Sequence, residues 1–493
     1  MRPGSRSEFP KAVALPPGEE TELDRLIAGP EAARPGQSGF RLVGHGPEAF
    51  AIRARTALLA GRSLDVQTYI WHADVTGMYL ALRALEAADR GVRVRLLIDD
   101  MDARAKNAGF AGLDAHPNIA VRMFNPFKSR TGVLSQVAEL IWSFNRINHR
   151  MHNKTWIADN RIAVVGGRNL GDEYFGASDE VNFVDLDFAL VGPIVRDASA
   201  SFDTYWNAET TIPMHTLDPG GVTDEILERV RGVLSESSGE AETSRYAEEF
   251  RGDDAVQRLL AGDWPMKWSE TSAFVSDDPH KISLDKGSSE RSNVLTLLVP
   301  TAENAKESVT LISPYFVPGE DGTRILVEAV QAGKRVRVLT NSLVANDVAA
   351  VHGGYSRWRH QLLAGGVEIW ELKPLPGSGT QPSLLGGSGA SLHTKALTVD
   401  GTTLFVGSYN IDPRSAWLNC EQGIFAESSE LATRLESIFD TQCRGEHAWR
   451  VTLDAGNLRW NDGRDVFDDE PNASTWLKLQ AWVTRALRLD AQL

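Results

Sequence analysis

The chain has 493 residues, 42% hydrophobic and 24% charged, which excludes a wholly disordered protein and predicts more than one domain. A formal net charge of −15 argues against a nucleic-acid-coating protein, because such proteins bind phosphates with Lys and Arg; a local basic pocket remains compatible with it. Only Cys420 and Cys443 are present, too few for a disulfide framework or a Cys-rich metal cage.

In chain order, residues 1–39 read as a mobile tail without the apolar core of a secretory signal. Residues 40–210 form a first α/β half. Arg62–Tyr69 alternates like a strand, a helix follows over Tyr79–Arg90 and stops at Gly91, and Val92–Ile98 is a second, apolar strand. Residues 211–270, with Glu and Ser clusters, read as a partly helical connector. Residues 271–450 repeat the pattern: strand Ser308–Tyr315, helix Arg324–Ala332, Gly333 and strand Arg335–Leu339. These strand–helix–strand units predict mostly parallel, buried sheets in a duplicated fold.

Residues 451–493 form a tail with an amphipathic helix. Trp476, Leu479, Val483 and Leu487 recur at helical spacing, with Lys478, Arg485 and Arg488 beside them. Such a helix either docks on the core or lies in a membrane interface. No stretch reaches the length of a spanning helix, so lipid chemistry here implies peripheral attachment.

The duplication is sharpest at two copies of H-x-K-x4-D. His152, Lys154 and Asp159 match His393, Lys395 and Asp400 at one 241-residue offset (393 − 152), which also carries Gly166 to Gly407 and Asn169 to Asn410. In a strand, positions i and i+2 share a face, so each His projects with its Lys. Asp159-Asn160 and Asp400-Gly401 fall between apolar runs as hairpin turns, which predicts a turn-holding role for the two aspartates. The returning strands bring Asn169 and Asn410 back towards the histidines.

Two imidazoles, two ammonium groups and two carboxamides suit phosphoryl transfer. One imidazole attacks phosphorus, the other moves the alcohol proton, and the cations and amides hold the non-bridging oxygens. Asp185, 33 residues after His152, and Glu421, 28 after His393, are candidates to orient the imidazoles. Tyr69 and Tyr315 end equivalent strands, as pocket walls or as packing. Arg146, Arg150 and Arg168 flank the first motif, facing a head group or solvent. Residues 124–147 mix aromatic and basic residues, as either a lipid-facing flap or an ordinary packed helix, and the Gly/Ser-rich loop 376–391 leads into the second motif. No histidine shows metal-ligand spacing, so neither metal nor cofactor is expected.

The paired motifs resemble the phospholipase D superfamily. Within it, Gln67–Trp71, Phe124–Phe127, Arg150–Lys154 and Val165–Asp172 resemble bacterial cardiolipin synthases, nearest their C-type branch. The resemblance implies a duplicated phospholipase D-type α/β fold of two pseudosymmetric halves with one active site between them, and metal-independent chemistry. It implies His152 as nucleophile and His393 as acid/base. The implied partners are phospholipid substrates and a membrane surface, without nucleic acid, at the bacterial cell membrane and on its cytoplasmic side. The implied reaction moves a phosphatidyl group from phosphatidylglycerol or phosphatidylethanolamine to phosphatidylglycerol. The competing readings are a hydrolytic phospholipase D or phosphodiesterase, a nuclease, and a catalytically silent lipid-binding protein.

Overall fold

A computed structural model describes residues 9–103, 106–127, 147–242, 245–260, 262–283, 292–346, 348–374 and 392–487. The chain divides into two compact units. The first holds Met1–Ala177, Asp187–Glu290 and Leu418–Gln422; the second holds Ser178–Leu186, Arg291–Trp417 and Gly423–Leu493. Each unit thus takes a short segment from the sequence that surrounds the other.

In the first unit the strands are β1 (Ser38–Val43), β2 (Ser63–Thr68), β3 (Arg93–Asp99), β4 (Ile119–Phe124), β5 (Thr155–Ala158), β6 (Ile162–Gly166), β7 (Asp187–Val191), β8 (Thr211–Pro213), β9 (Lys267–Ser269) and β10 (Ser272–Ser276). One sheet orders all of these but β10 as β8-β4-β3-β2-β5-β6-β7-β1-β9. The second unit contains β11 (Ser308–Ile312), β12 (Arg335–Asn341), β13 (Glu368–Leu372), β14 (Ala396–Val399), β15 (Thr403–Gly407), β16 (Gln422–Glu427), β17 (Ala448–Asp454), β18 (Asn457–Asn461) and β19 (Val466–Phe467). Their order is β16-β15-β14-β11-β12-β13-β17-β18-β19.

The expected duplication is present: β3-β2-β5-β6-β7 repeats as β12-β11-β14-β15-β16. The sheets, however, are mixed rather than mostly parallel. The strand–helix–strand stretches pair in parallel, β2–β3–β4 and β11–β12–β13. The motif strands β5 and β14 enter antiparallel to β2 and β11 and continue as meanders. The turns at Asp159-Asn160 and Asp400-Gly401 force the antiparallel β5–β6 and β14–β15 pairs, because a tight hairpin joins antiparallel strands only. The linking helices span Val75–Asp89 and Gly319–Gln331, and Gly91 and Gly333 follow them at φ of 92° and 86°.

Residues 9–39, expected as a mobile tail, carry a helix over Glu22–Ala32. Thr21 and Asp24 close a capping box at its start, and the buried Asp24 carboxylate pairs with Arg62 and Arg161. These long-range ion pairs were invisible in the local sequence.

Both motif aspartates lie in left-handed turns, with φ of 53° and 55° at Asp159-Asn160 and 52° and 60° at Asp400-Gly401. Their carboxylates reach beyond the turn. Asp159 accepts from the backbone N–H groups of Gly61, Arg62 and Ser63 at the start of β2. Asp400 accepts from Lys306, Glu307 and Ser308 at the start of β11. Each aspartate therefore registers the motif hairpin against the neighbouring strand, at the end of β5 or β14 away from the histidine.

The C-terminal helix, Thr475–Leu487, packs on the helix Ala349–Ala364. Leu477 and Ala481 are buried with Leu343. Gly353 makes the approach possible, since a Cβ there would stand 2.1 Å from the Thr484 hydroxyl. Trp476, Leu479, Trp482 and Val483 face outward.

Replacing Asp159 by Ala strands three backbone N–H groups and is expected to lower stability by about 2–4 kcal/mol, read as a shift of the urea midpoint. Burial opposes ionisation of Asp400, yet the N–H groups of Ser308, Glu307 and Lys306 hold its carboxyl below the usual range. A depressed folded pKa gives stability that is complete above the unfolded value, about 4, and is lost as pH falls through the folded one. Asp400→Asn should flatten that acid limb of the unfolding curve; an unchanged limb would refute the assignment.

Candidate functional site

The first centre is built where β5 begins. Met151 bridges to Cys420, and the His152 N–H donates to the Cys420 carbonyl at 2.9 Å. This places Glu421 beside the imidazole: His152 Nδ1 lies 2.9 Å from Glu421 Oε2, a fully buried carboxylate. Glu421 is itself fixed by Asp277, whose carboxylate accepts from the Glu421 N–H and pairs with the buried Lys281 ammonium. The Tyr69 ring meets the imidazole edge to face at 5.4 Å. Lys154 Nζ sits over the same Tyr69 ring and donates to the His152 carbonyl at 2.6 Å.

The second centre repeats the plan in the second unit. The His393 and Thr394 N–H groups both donate to the Val184 carbonyl. His393 Nδ1 lies 2.6 Å from Asp185 Oδ2, again fully buried. Phe183 stands against the His393 ring at 5.4 Å. Lys395 Nζ donates to the His393 carbonyl. Tyr315, just past β11, is held through its carbonyl by the Ser313 hydroxyl.

Both acids are used, with their partners crossed. The spacings, 33 residues after His152 and 28 after His393, left open which histidine each acid serves; the acid after the second motif holds the first histidine, and the acid after the first motif holds the second. In each centre the carboxylate takes Nδ1, which sets the orientation of the ring.

The carboxamides differ. Asn169 accepts from the Ile70 N–H and donates to the Tyr174 hydroxyl, so its amide braces the loop after β2. The Asn410 side-chain oxygen is buried without a hydrogen-bond partner among the described residues, while the backbone N–H of Asn410 donates to the Ser415 hydroxyl. Arg150 and Arg168 are neither head-group ligands nor a solvated edge. Arg150 is buried against Asp99, and Arg168 against Asp187 and the carbonyls of Val43 and Gly44. Arg146, most of the 124–147 segment and the 376–391 loop lie outside the described residues.

Three supporting residues were missed. Asp99, at the end of β3, accepts from the Met151 N–H and from Arg150, so it fixes the residue before His152. Burial pushes its carboxyl pKa up, against Arg150 and the two backbone donors. Gln422 donates to the Lys154 carbonyl and accepts from Asn153. Phe183 precedes Asp185 by two. An acid ending an apolar parallel strand was a usable signal for Asp99, since sites gather at such strand ends. The other two needed the crossing.

Among the described residues, one group of side chains is compact enough to consider for a cation, His72, Asp74 and Glu173. Its atoms already have work. Asp74 caps the Val75–Asp89 helix through Gly77 and accepts from the Asp172 N–H; His72 pairs with Glu173 at 3.1 Å.

With this geometry in place, comparison with known proteins is direct. A family described as cardiolipin synthase, phospholipase D-like domain, matches residues 56–206 and 298–443. The chain belongs to this family, and is an enzyme of the phospholipase D superfamily. Cardiolipin synthase C of Escherichia coli (strain K12) is 39% identical over 467 residues, 92% of this chain and 96% of that one. A cardiolipin synthase of Oceanobacillus iheyensis is 25% identical over 382 residues, covering 77% and 64%. The crystal structure of a phosphatidylserine synthase from Haemophilus influenzae shares the fold, with a TM-score of 0.59 at 13% identity over 92% of this chain and 94% of that one.

The crossed pairing makes a separable prediction. Glu421→Gln should lower the His152 imidazole pKa and leave His393 in place, with Asp185→Asn doing the reverse, both followed by NMR of labelled histidine. Each should cost on the order of 10²–10⁴-fold in turnover. A shift of His393 in Glu421→Gln would show that the pairing is not crossed.

Proposed function

We propose that the chain is a phosphatidyltransferase that makes cardiolipin through a phosphohistidine at His152. The observation that carries this is the pair of equivalent His–carboxylate–Lys centres in a chain of the cardiolipin synthase family. His152 Nε2 attacks the donor phosphorus; a P–N bond forms and the P–O bond to the leaving alcohol breaks. His393, protonated, gives its proton to that oxygen. It then takes the proton of the phosphatidylglycerol hydroxyl, which attacks phosphorus as the P–N bond breaks. Lys154 and Lys395 offset charge on the non-bridging oxygens, with Asn410 as an amide donor to them. Asn169 supports the fold of this site rather than the phosphate. The donor is phosphatidylglycerol or phosphatidylethanolamine.

The test incubates the protein with vesicles of phosphatidylglycerol and phosphatidylethanolamine, with and without a chelator. Cardiolipin is the expected product, independent of chelation; phosphatidic acid alone would establish hydrolysis instead. His152→Ala should abolish transfer of label from a radioactive phosphatidyl donor to the protein. An adduct that survives His152→Ala and is lost in His393→Ala would reverse the two roles.

We also propose peripheral attachment to the cytoplasmic face of the bacterial membrane through the C-terminal helix. No helix among the described residues is long and apolar enough to cross a membrane. On the Thr475–Leu487 helix, Trp476, Leu479, Trp482 and Val483 span an arc of about 120° at helical spacing, all exposed, with Arg485 beside them. Tryptophan next to basic residues suits the lipid interface. Replacing Trp476 and Trp482 together by Ala should weaken sedimentation with anionic vesicles about tenfold or more while leaving the protein folded; unchanged sedimentation would remove this helix from the docking surface.

A further inference from the structure

The first unit contains a cavity of about 280 Å³ that none of the residues around His152 lines. Its walls are the helices Gly46–Leu59 and Val75–Asp89 on one side and Arg245–Gly252 and Asp254–Leu260 on the other. Phe50, Tyr79, Tyr246 and Phe250 form the interior, in mutual ring contact at 5.4–6.1 Å. The ring faces offer no hydrogen-bond partners to ordered water, which needs two to four; the polar groups of the lining are Thr76, the tyrosine hydroxyls and the arginines.

The rim is cationic. Arg55, Arg83 and Arg251 all border the cavity. Arg83 is balanced by Glu86 and lies over the Tyr79 ring at 4.8 Å. Arg55 is half-buried and has no ion-pair or hydrogen-bond partner among the described residues. In a chain of net charge −15, an unbalanced guanidinium at an apolar mouth is a specific feature. It complements a ligand with an apolar body and an anionic end. The volume lies just under the range of about 300–1,000 Å³ usual for small-molecule pockets, which suits one acyl segment and not a two-chain lipid.

We propose that this cavity is a second lipid site, separate from the histidine centres, that takes one acyl chain with its anionic head at Arg55 and Arg251. It gives the connecting segment 245–260 a binding role. The anionic chain comes either from a free fatty acid or from a phospholipid with one chain inserted, and the site does not depend on the phosphohistidine chemistry.

The experiment titrates the full-length protein with monomeric laurate and with lauroyl-lysophosphatidylglycerol, using dodecyl maltoside as the uncharged control, by calorimetry and native mass spectrometry. Laurate has no phosphorus, so it separates this cavity from the catalytic centres. Saturable 1:1 binding of an anionic probe is expected, with the maltoside at least tenfold weaker. Preference for laurate assigns a fatty acid, and preference for the lysophospholipid a membrane lipid. Ala54→Trp, which fills the cavity, should abolish binding. Arg55→Gln combined with Arg251→Gln, on the rim, should weaken it about tenfold in protein that keeps its folded circular dichroism spectrum. Binding that persists in folded Ala54→Trp, equal binding of the maltoside, indifference to the arginine changes, or no saturable binding would each overturn the proposal.

Discussion

The constraint on which the rest depends is the need of each imidazole for a buried carboxylate on Nδ1. A histidine with a free choice of tautomer presents either nitrogen, and a carboxylate on Nδ1 fixes that choice. Here Glu421 and Asp185 supply that fixation from full burial, and each is itself anchored through its backbone neighbours. A buried carboxylate without a partner is costly, so acid and imidazole hold one another in place.

Neither repeat carries the acid for its own histidine. Leu418–Gln422 belongs to the first unit and Ser178–Leu186 to the second. A bridge between Met151 and Cys420, and another between Val184 and Leu392, tie these segments to the residue before each motif histidine. An isolated repeat would therefore fold its motif strand without the group that orients it. Duplication alone does not make two independent sites; the exchange makes each centre depend on the whole chain.

The third member of each motif belongs to architecture. Asp159 and Asp400 collect three backbone N–H groups apiece at the start of the adjacent strand. The turn fixes where the hairpin reverses, and the carboxylate fixes how β5 and β14 align on β2 and β11. A one-residue slip there would turn His152 and Lys154 to the other face of the sheet. The H-x-K-x4-D spacing thus joins the His–Lys end to a registering end along one short strand.

Much of this was legible in the sequence because it is periodic. The 241-residue offset exposed the duplication, strand alternation put His with Lys, and Asp-Asn and Asp-Gly marked the turns. Both orienting acids were identifiable from their positions after the motifs, though not which histidine each serves. That choice was made by non-local pairing, as were the antiparallel course of the motif strands, the burial of Arg150 and Arg168, and the folding of residues 9–39 onto Arg62 and Arg161. Local spacing records what a strand or turn must be. Which distant carboxylate fills a buried site is decided only when the chain packs, because that energy is gained between residues the sequence keeps more than 200 positions apart.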